Sequence, residues 1–268
     1  MYQVEARVIS NVIFFPDVNR VDPRYREIRL IWLNCPDIAR TVQPGQFVMV
    51  RCDDLTLPRP LSVHQVINES IALLFTVLTD GKGTAWLAGH QPDDMVQVLG
   101  PLGKGFSIDK TDQNLLLVGG GMGIAPIYFL AQDAVDRGFH VTLLLGAQTD
   151  RLLYPLDRLP VGIELLTATD DGSGGRRGLV TSLISGPIKT ADRVFACGPA
   201  AMYRQMAENR PALGLFDKPV QVSLEAIMGC GHGACYSCTI KTRHGLKQVC
   251  HDGPVFDLDD IVFGEMGL

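Results

Sequence analysis

Four cysteines set the strongest constraint on this chain. They run Cys230-Gly-His-Gly-Ala-Cys235-Tyr-Ser-Cys238, and after eleven more residues comes Cys250. The spacing is C-x4-C-x2-C followed by a distant Cys, the ligand pattern of a plant-type 2Fe–2S cluster. Such a cluster needs four thiolates converging on two irons, with backbone amides turned inward at the sulfurs. Gly229, Gly231 and Gly233 give the loop the freedom to wrap in that way. Two other readings exist. A structural zinc site usually shows two C-x2-C pairs instead. A set of unrelated buried thiols would not crowd into 21 residues of a 268-residue chain.

The length allows two or three compact domains. Hydrophobic residues make up 46% and charged residues 20%, a globular balance. The net charge is −5 and no Lys/Arg run exceeds two, so no nucleic-acid partner is expected. Leu115–Ala131 lacks any charge, yet it holds four glycines and Pro126. It reads as strand, Gly loop and helix, and no membrane span is expected. The first residues show no basic-then-apolar leader. Seven cysteines without a secretion signal point to a reducing, cytoplasmic setting. Cys35 and Cys52 read as ordinary buried thiols.

Residues 1–102 are rich in β-branched residues and turn signals. Strands are expected at Glu5–Phe15, Glu27–Trp32, Gln46–Arg51, Leu61–Val66, Ile71–Leu78 and Met95–Leu99, forming an antiparallel β-barrel or sandwich. Thr84–Gly89 is the one helix expected there, with Thr84 as its N-cap. From Leu115 strands alternate with helices, which implies a parallel α/β sheet over 103–218. Its strands are Leu115–Val118, Val141–Leu145, Ile163–Thr167 and Arg193–Ala196. One helix follows the Gly loop to about Arg137, a short one lies near Thr181–Ile184 and another near Ala200–Asn209. Strand Val220–Leu224 leads into the cysteine segment, 219–268.

Four motifs carry chemistry. Arg59-Pro60-Leu61-Ser62 offers a guanidinium for a pyrophosphate and a hydroxyl for a flavin ring, though an Arg before Pro is by itself more often a surface cation. Gly81-Lys82-Gly83-Thr84 opens a helix, where free amides attract phosphate; it lacks the spacing of a Walker A loop. Gly119–Pro126 follows a strand and precedes a helix, so the amides of Gly120, Gly121 and Gly123 can approach a pyrophosphate. Asp150 and Arg151 lie near the ribose position and leave NAD or NADP open. Cys197-Gly198-Pro199 ends a parallel strand, where ligands of open α/β sheets bind. The loop Thr169–Gly178 is a candidate wall of the same site, and His232 reads as an exposed loop residue.

The order of these parts resembles the ferredoxin–NADP reductase superfamily. Within it, the chain is most similar to electron transfer subunits of NAD-dependent dihydroorotate dehydrogenases. Pro44–Phe47, Arg59–Ser62, Gly81–Thr84, Gly100–Gly103, Thr169–Ser173, Ser223–Cys238 and Val249–Phe256 carry the resemblance. It implies a protein with an FAD-binding barrel (1–102), an NAD-binding α/β domain (103–218) and a 2Fe–2S domain (219–268). FAD contacts would come from Arg59, Pro60, Leu61, Ser62, Thr76, Val77, Leu78, Gly83 and Thr84. Cys230, Cys235, Cys238 and Cys250 would hold the cluster. Leu61 stands where many members carry Tyr, and Phe75–Thr79 lacks a basic residue that is frequent there.

The implied role is a relay in dihydroorotate oxidation, part of pyrimidine biosynthesis. Nicotinamides exchange hydride, clusters exchange single electrons, and flavin converts between them. The partner would be a separate catalytic subunit, an FMN-binding barrel, in a heterotetramer of two of each. No residue here is expected to act as acid or base on dihydroorotate. The alternatives are a similar subunit of a sulfhydrogenase or NADH–ferredoxin transhydrogenase, and a non-redox, zinc-bearing nucleotide-binding regulator.

Overall fold

The computed structural model describes residues 1–15 and 18–264. The N-terminal part forms β1 (Tyr2–Phe15), β2 (Tyr25–Asn34), β3 (Phe47–Val50), β4 (Arg59–Ile67), β5 (Ser70–Leu78) and β6 (Met95–Leu102), with β3 and most of β5 apolar and buried on both faces. These six antiparallel strands close into a barrel in the order β1-β2-β5-β4-β3-β6. Closure removes exposed strand edges. Ala6, Val8, Ile31, Leu33, Val48, Val50, Val63, Leu73, Phe75, Val77, Val96 and Val98 fill the interior. All six expected strands are present.

Two local expectations need correction. Helix α1 (Pro36–Ala39) precedes the expected one; Pro36, at a helix start, and Asp37 in the first turn were its signals. Helix α2 begins earlier than expected, spanning Lys82–Ala88. Its N-cap is the extended Gly81, without a side-chain cap bond, so Thr84 lies inside the helix.

The second half follows the expected alternation. It runs β7 (Asn114–Gly120), α3 (Ile124–Asp136), β8 (His140–Ala147), β9 (Glu164–Thr169), β10 (Arg176–Arg177), β11 (Arg193–Cys197), α4 (Ala200–Glu208), α5 (Arg210–Leu213) and β12 (Val220–Ser223). The helix expected near Thr181–Ile184 is a 3₁₀ turn, Val180–Leu183. The cysteine segment then adds the hairpin β13 (Thr239–Thr242) and β14 (Gly245–Gln248), α6 (Val249–Asp252) and β15 (Val255–Asp257).

The sheet order is β10-β9-β8-β7-β11-β12-β15, parallel except where β15 runs against β12. Order reverses between β7 and β11, which opens a crevice at their C-terminal ends. The apolar run 115–131 is buried as β7, a Gly turn and α3. No helix among the described residues is long and apolar enough to cross a membrane.

Two cores fuse the halves. On one side, Phe14, Phe15, Ile28 and Leu74 of the barrel pack with Leu115, Leu117, Ile127 and Phe195. On the other, Phe47, Met49 and Leu102 join Val222, Leu224, Met228, Cys238, Cys250 and Phe256. The cysteine segment is therefore seated on both the barrel and the sheet.

Candidate redox site

The crevice at the β7/β11 reversal holds a cavity of about 500 Å³. Gly120, Gly121, Gly123, Gly198 and Pro199 line it together with Gln148 and Asp170. Close backbone approach explains the glycines. A Cβ on Gly123 would overlap the carbonyl of Cys197, and one on Gly120 would meet Met202 Sδ at 3.0 Å. Gly121 sits at φ 55°, a conformation costly for other residues. Tyr203 braces the turn from below. Its hydroxyl donates to Ser223 O (2.6 Å) and accepts the Gly198 amide (2.8 Å). Asp150 and Arg151, singled out in the sequence, fall outside the lining; Gln148 and Asp170 occupy that end of the cavity.

A second cavity of about 390 Å³ lies between the barrel and the sheet. Pro60, Leu61, Ser62, Thr76, Thr84 and Cys197 line it. Strand alternation sorts the rest of the FAD set. Val77 turns into the barrel core and Leu78 outward, 46% exposed. Arg59 lies directly over Gly83, so a Cβ there would strike the guanidinium. That contact presses Arg59 onto the start of α2, where its charge and the free amides converge. Burial pushes the Cys197 thiol up to about 12, so it stays neutral.

Tyr25, Met122 and Glu225 line both cavities, so the two meet there. Sequence reasoning did not find Glu225. It follows closely on the C-terminal end of β12, a parallel strand, and that position was the available signal. The residue as a whole is exposed at the mouth of the cleft, and desolvation of its carboxyl by the cleft walls raises it above the usual range.

The four cysteines fall into two pairs. Cys230 interacts most strongly with Cys235, and Cys250 with Cys238 and, less strongly, with Cys230. Gly231 and Gly233 take φ of 78° and 91°, and Tyr236 60°. Gly229 serves close approach, because a Cβ there would lie 3.1 Å from Cys235 Sγ. The wrap aims donors at sulfur. Ala234 N–H reaches Cys230 Sγ (3.2 Å), Gly233 N–H reaches Cys250 Sγ (3.2 Å) and Cys250 N–H reaches Cys238 Sγ (3.4 Å). Cys235 Sγ lies 3.2 Å from Ser237 Oγ.

Partial burial raises the Cys230 thiol, but amide hydrogen bonds from His232, Cys235 and Ala234 outweigh it and bring it to about 6. Hydrogen bonds from Ser237 lower Cys235. Burial, then the neighbouring Cys238, pushes Cys250 up to about 12. Among the described residues, no three His, Cys, Asp or Glu gather as a single ion requires. Two pairs with amides aimed at sulfur fit a two-iron cluster, in which each iron takes two thiolates, better than one tetrahedral zinc. His232 is exposed, its Nδ1–H donating to Cys230 O (2.9 Å).

Comparison with known proteins agrees with this arrangement. Residues 225–262 match the iron–sulfur cluster binding domain of dihydroorotate dehydrogenase B. The electron transfer subunit of dihydroorotate dehydrogenase B (NAD(+)) from Geobacillus kaustophilus is 42% identical over 228 residues, covering 82% of this chain and 87% of that protein. The same subunit from Desulforamulus reducens is 40% identical, covering 86% of this chain and 90% of its own length. Among solved structures, an NADH-dependent reduced ferredoxin–NADP oxidoreductase studied for electron bifurcation superposes with a TM-score of 0.84 at 29% identity, covering 98% of this chain and 91% of that one. A Neisseria gonorrhoeae ferredoxin–NADP+ reductase shares the fold, with TM-score 0.63, 18% identity and coverage of 80% and 92%. Barrel, parallel sheet, paired thiols and these relatives converge: the chain belongs to the family of electron transfer subunits of NAD+-dependent dihydroorotate dehydrogenase B.

Proposed function

We propose that this chain carries electrons between the flavin of a catalytic partner subunit and NAD+, in the oxidation of dihydroorotate to orotate. One observation carries the reading. The 500 Å³ cavity and the 390 Å³ cavity share Tyr25, Met122 and Glu225 in their walls. Phe47, Leu224 and Met228 line the second cavity and share one apolar core with Cys238 and Cys250. In this reading the nicotinamide site, the flavin site and the thiols stand in line.

In this reading NAD occupies the first cavity, FAD the second, and Cys230, Cys235, Cys238 and Cys250 hold a 2Fe–2S cluster. FAD supplies the conversion between hydride and single electrons, and the cluster accepts single electrons. The chain's own residues do the rest. Gly120, Gly121, Gly123 and Gly198 admit the pyrophosphate to the backbone, and Pro199 shapes the turn beside it. Asp170 disfavours a 2′-phosphate, which fits NAD. Arg59, with Gly83 and Thr84 at α2, takes the FAD phosphates. Pro60, Leu61, Ser62 and Thr76 wall the flavin ring; Val77 and Leu78 contribute backbone. Glu225 presents its carboxyl where the two rings meet, and desolvation there raises its pKa above the usual carboxylate range.

The units are 1–102, 103–218 and 219–268, the last lending β12 and β15 to the sheet. The docking face surrounds the exposed Cys235, where Ile227 and Tyr236 are 79% and 71% exposed. The partner there is the FMN-barrel catalytic subunit, two of each chain per complex. Seven unpaired cysteines suit the cytoplasm. Likeness to the bifurcating oxidoreductase supports a second reading, in which the relay is the same and the partner differs. Orotate-dependent NADH oxidation with a co-purifying FMN-barrel partner separates the two.

The test is Cys235→Ser. NADH reduction of bound FAD should persist while transfer to the partner is lost. Loss of both with FAD still bound contradicts the order of sites.

A further inference from the structure

His64 is the largest unexplained commitment of the fold near these cavities. It is completely buried and sits on β4 two residues beyond Ser62. The β4–β5 register slips there, with Val63 opposite Leu73 and Gln65 opposite Ala72. That β-bulge leaves His64 as the extra residue, and bulges re-aim side chains. Val63 stays in the barrel core, while His64 turns onto the α/β half. Its Nδ1 lies 2.9 Å from Ala125 O and its Nε2 3.0 Å from Tyr154 Oη. A carbonyl only accepts, so Nδ1 carries the hydrogen and Nε2 accepts the Tyr154 hydroxyl. Gln65 Nε2 approaches the same ring nitrogen at 3.4 Å. The rings of Tyr128 and Tyr154 pack on the imidazole at 4.6 and 5.6 Å.

Ala125 is a telling acceptor. Gly123 and Ile124 line the first cavity, and Ala125 and Pro126 line the second. The carbonyl that His64 holds thus belongs to the turn where α3 passes from one cavity wall to the other. Pro60, Leu61 and Ser62, on the same strand as His64, form the opposite wall of the second cavity. We propose that His64 is a positioning residue that sets the separation of the flavin and nicotinamide subsites by tying β4 to the first turn of α3. The idea rests on the two-cavity assignment above. Hydride transfer depends steeply on the distance between donor and acceptor, so slack in this tie acts on rate rather than on binding. Burial also holds the imidazole neutral, its pKa down at about 4, as the bond pattern needs.

The experiment is anaerobic rapid mixing of the FAD- and cluster-loaded chain with NADH. It reads the limiting rate of flavin reduction, the half-saturating NADH concentration and the long-wavelength charge-transfer band. His64→Leu and His64→Gln, which both lose the donor at the δ position, should slow the limiting rate about tenfold or more. They should weaken the charge-transfer band and leave half-saturation within about twofold. His64→Asn places an N–H close to the Nδ1 position and should restore most of the rate. Wild-type rate and band in the Gln variant overturn the proposal, whether or not the Leu variant folds and however far Tm falls. So does an Asn variant that folds, keeps FAD and is as slow as Gln. A native chain whose FAD is not reduced by NADH overturns the two-cavity assignment as well, so the two failures are distinguishable.

Discussion

The two halves of the cysteine quartet come from one short stretch yet live in different surroundings. Cys238 and Cys250 are 3% and 2% exposed, inside the core that also holds Phe47, Leu224 and Met228. Cys235 is exposed and Cys230 half-buried, with Ile227 and Tyr236 open to solvent beside them. The difference gives the site a direction. The inner pair shares packing with the wall of the proposed flavin cavity, and the outer pair meets whatever docks. It also divides the electrostatics: amides and Ser237 draw the outer thiols toward thiolate, whereas burial pushes the Cys250 thiol up.

The comparison can be broken most forcefully at the inner pair. Cys250→Ser should abolish iron and sulfide binding, read by metal analysis and the visible spectrum. It should also cost about 1–3 kcal/mol, because a buried hydroxyl replaces a thiol. Cys235→Ser, at an exposed position, should leave the Tm of the metal-free chain unchanged. Equal losses of Tm in the two variants would erase the distinction.

Acid should separate the interior from the exposed loop. His64 titrates at about 4 when folded and near 6.5 when unfolded, so the folded state binds fewer protons between those values. Stability should therefore rise from pH 4 to 6.5, by about 3 kcal/mol in all, and fall again as pH is lowered through that window. Gln65, Tyr128 and Tyr154 face the ring and are uncharged there; Arg158 acts on Tyr154 from farther out. His64→Asn should flatten this part of a urea-stability profile.

Smaller effects sharpen the seating of the loop. Gly231→Ala requires φ 78° and places a Cβ 2.5 Å from Met49 Cγ. It should cost about 1–2 kcal/mol in chemical denaturation and loosen the cluster, as seen by faster iron release to a chelator. Tyr236→Ala should leave folding and cofactor content unchanged and weaken partner binding by about tenfold, measured by calorimetry.

Much of this was legible in the chain. The cysteine spacing singled out the four thiols, and the switch from short β-branched strands between turn signals to strand–helix alternation marked the two larger folds. The split into inner and outer pairs was not legible, because it depends on β13, β14 and α6 folding Cys250 back beneath Cys238. Motif reading took Thr76, Val77 and Leu78 as one run, whereas a strand sends successive side chains to opposite faces. Glu225 lies in the Ser223–Cys238 stretch that carries the resemblance, but nothing in that stretch marked it as a site residue; the parallel strand before it gives its position meaning. His64 is a lone histidine in an apolar strand, and the bulge that re-aims it comes from pairing with β5, which no local window contains.

The central claim is that the sites stand in series, with FAD between nicotinamide and cluster. An anaerobic NADH titration of the cluster-loaded chain, with and without FAD, tests it most directly. The account predicts that NADH bleaches the cluster absorbance only when FAD is bound, and that restoring FAD restores the bleaching. A cluster that bleaches as fast without FAD, or stays oxidised with it, contradicts the account.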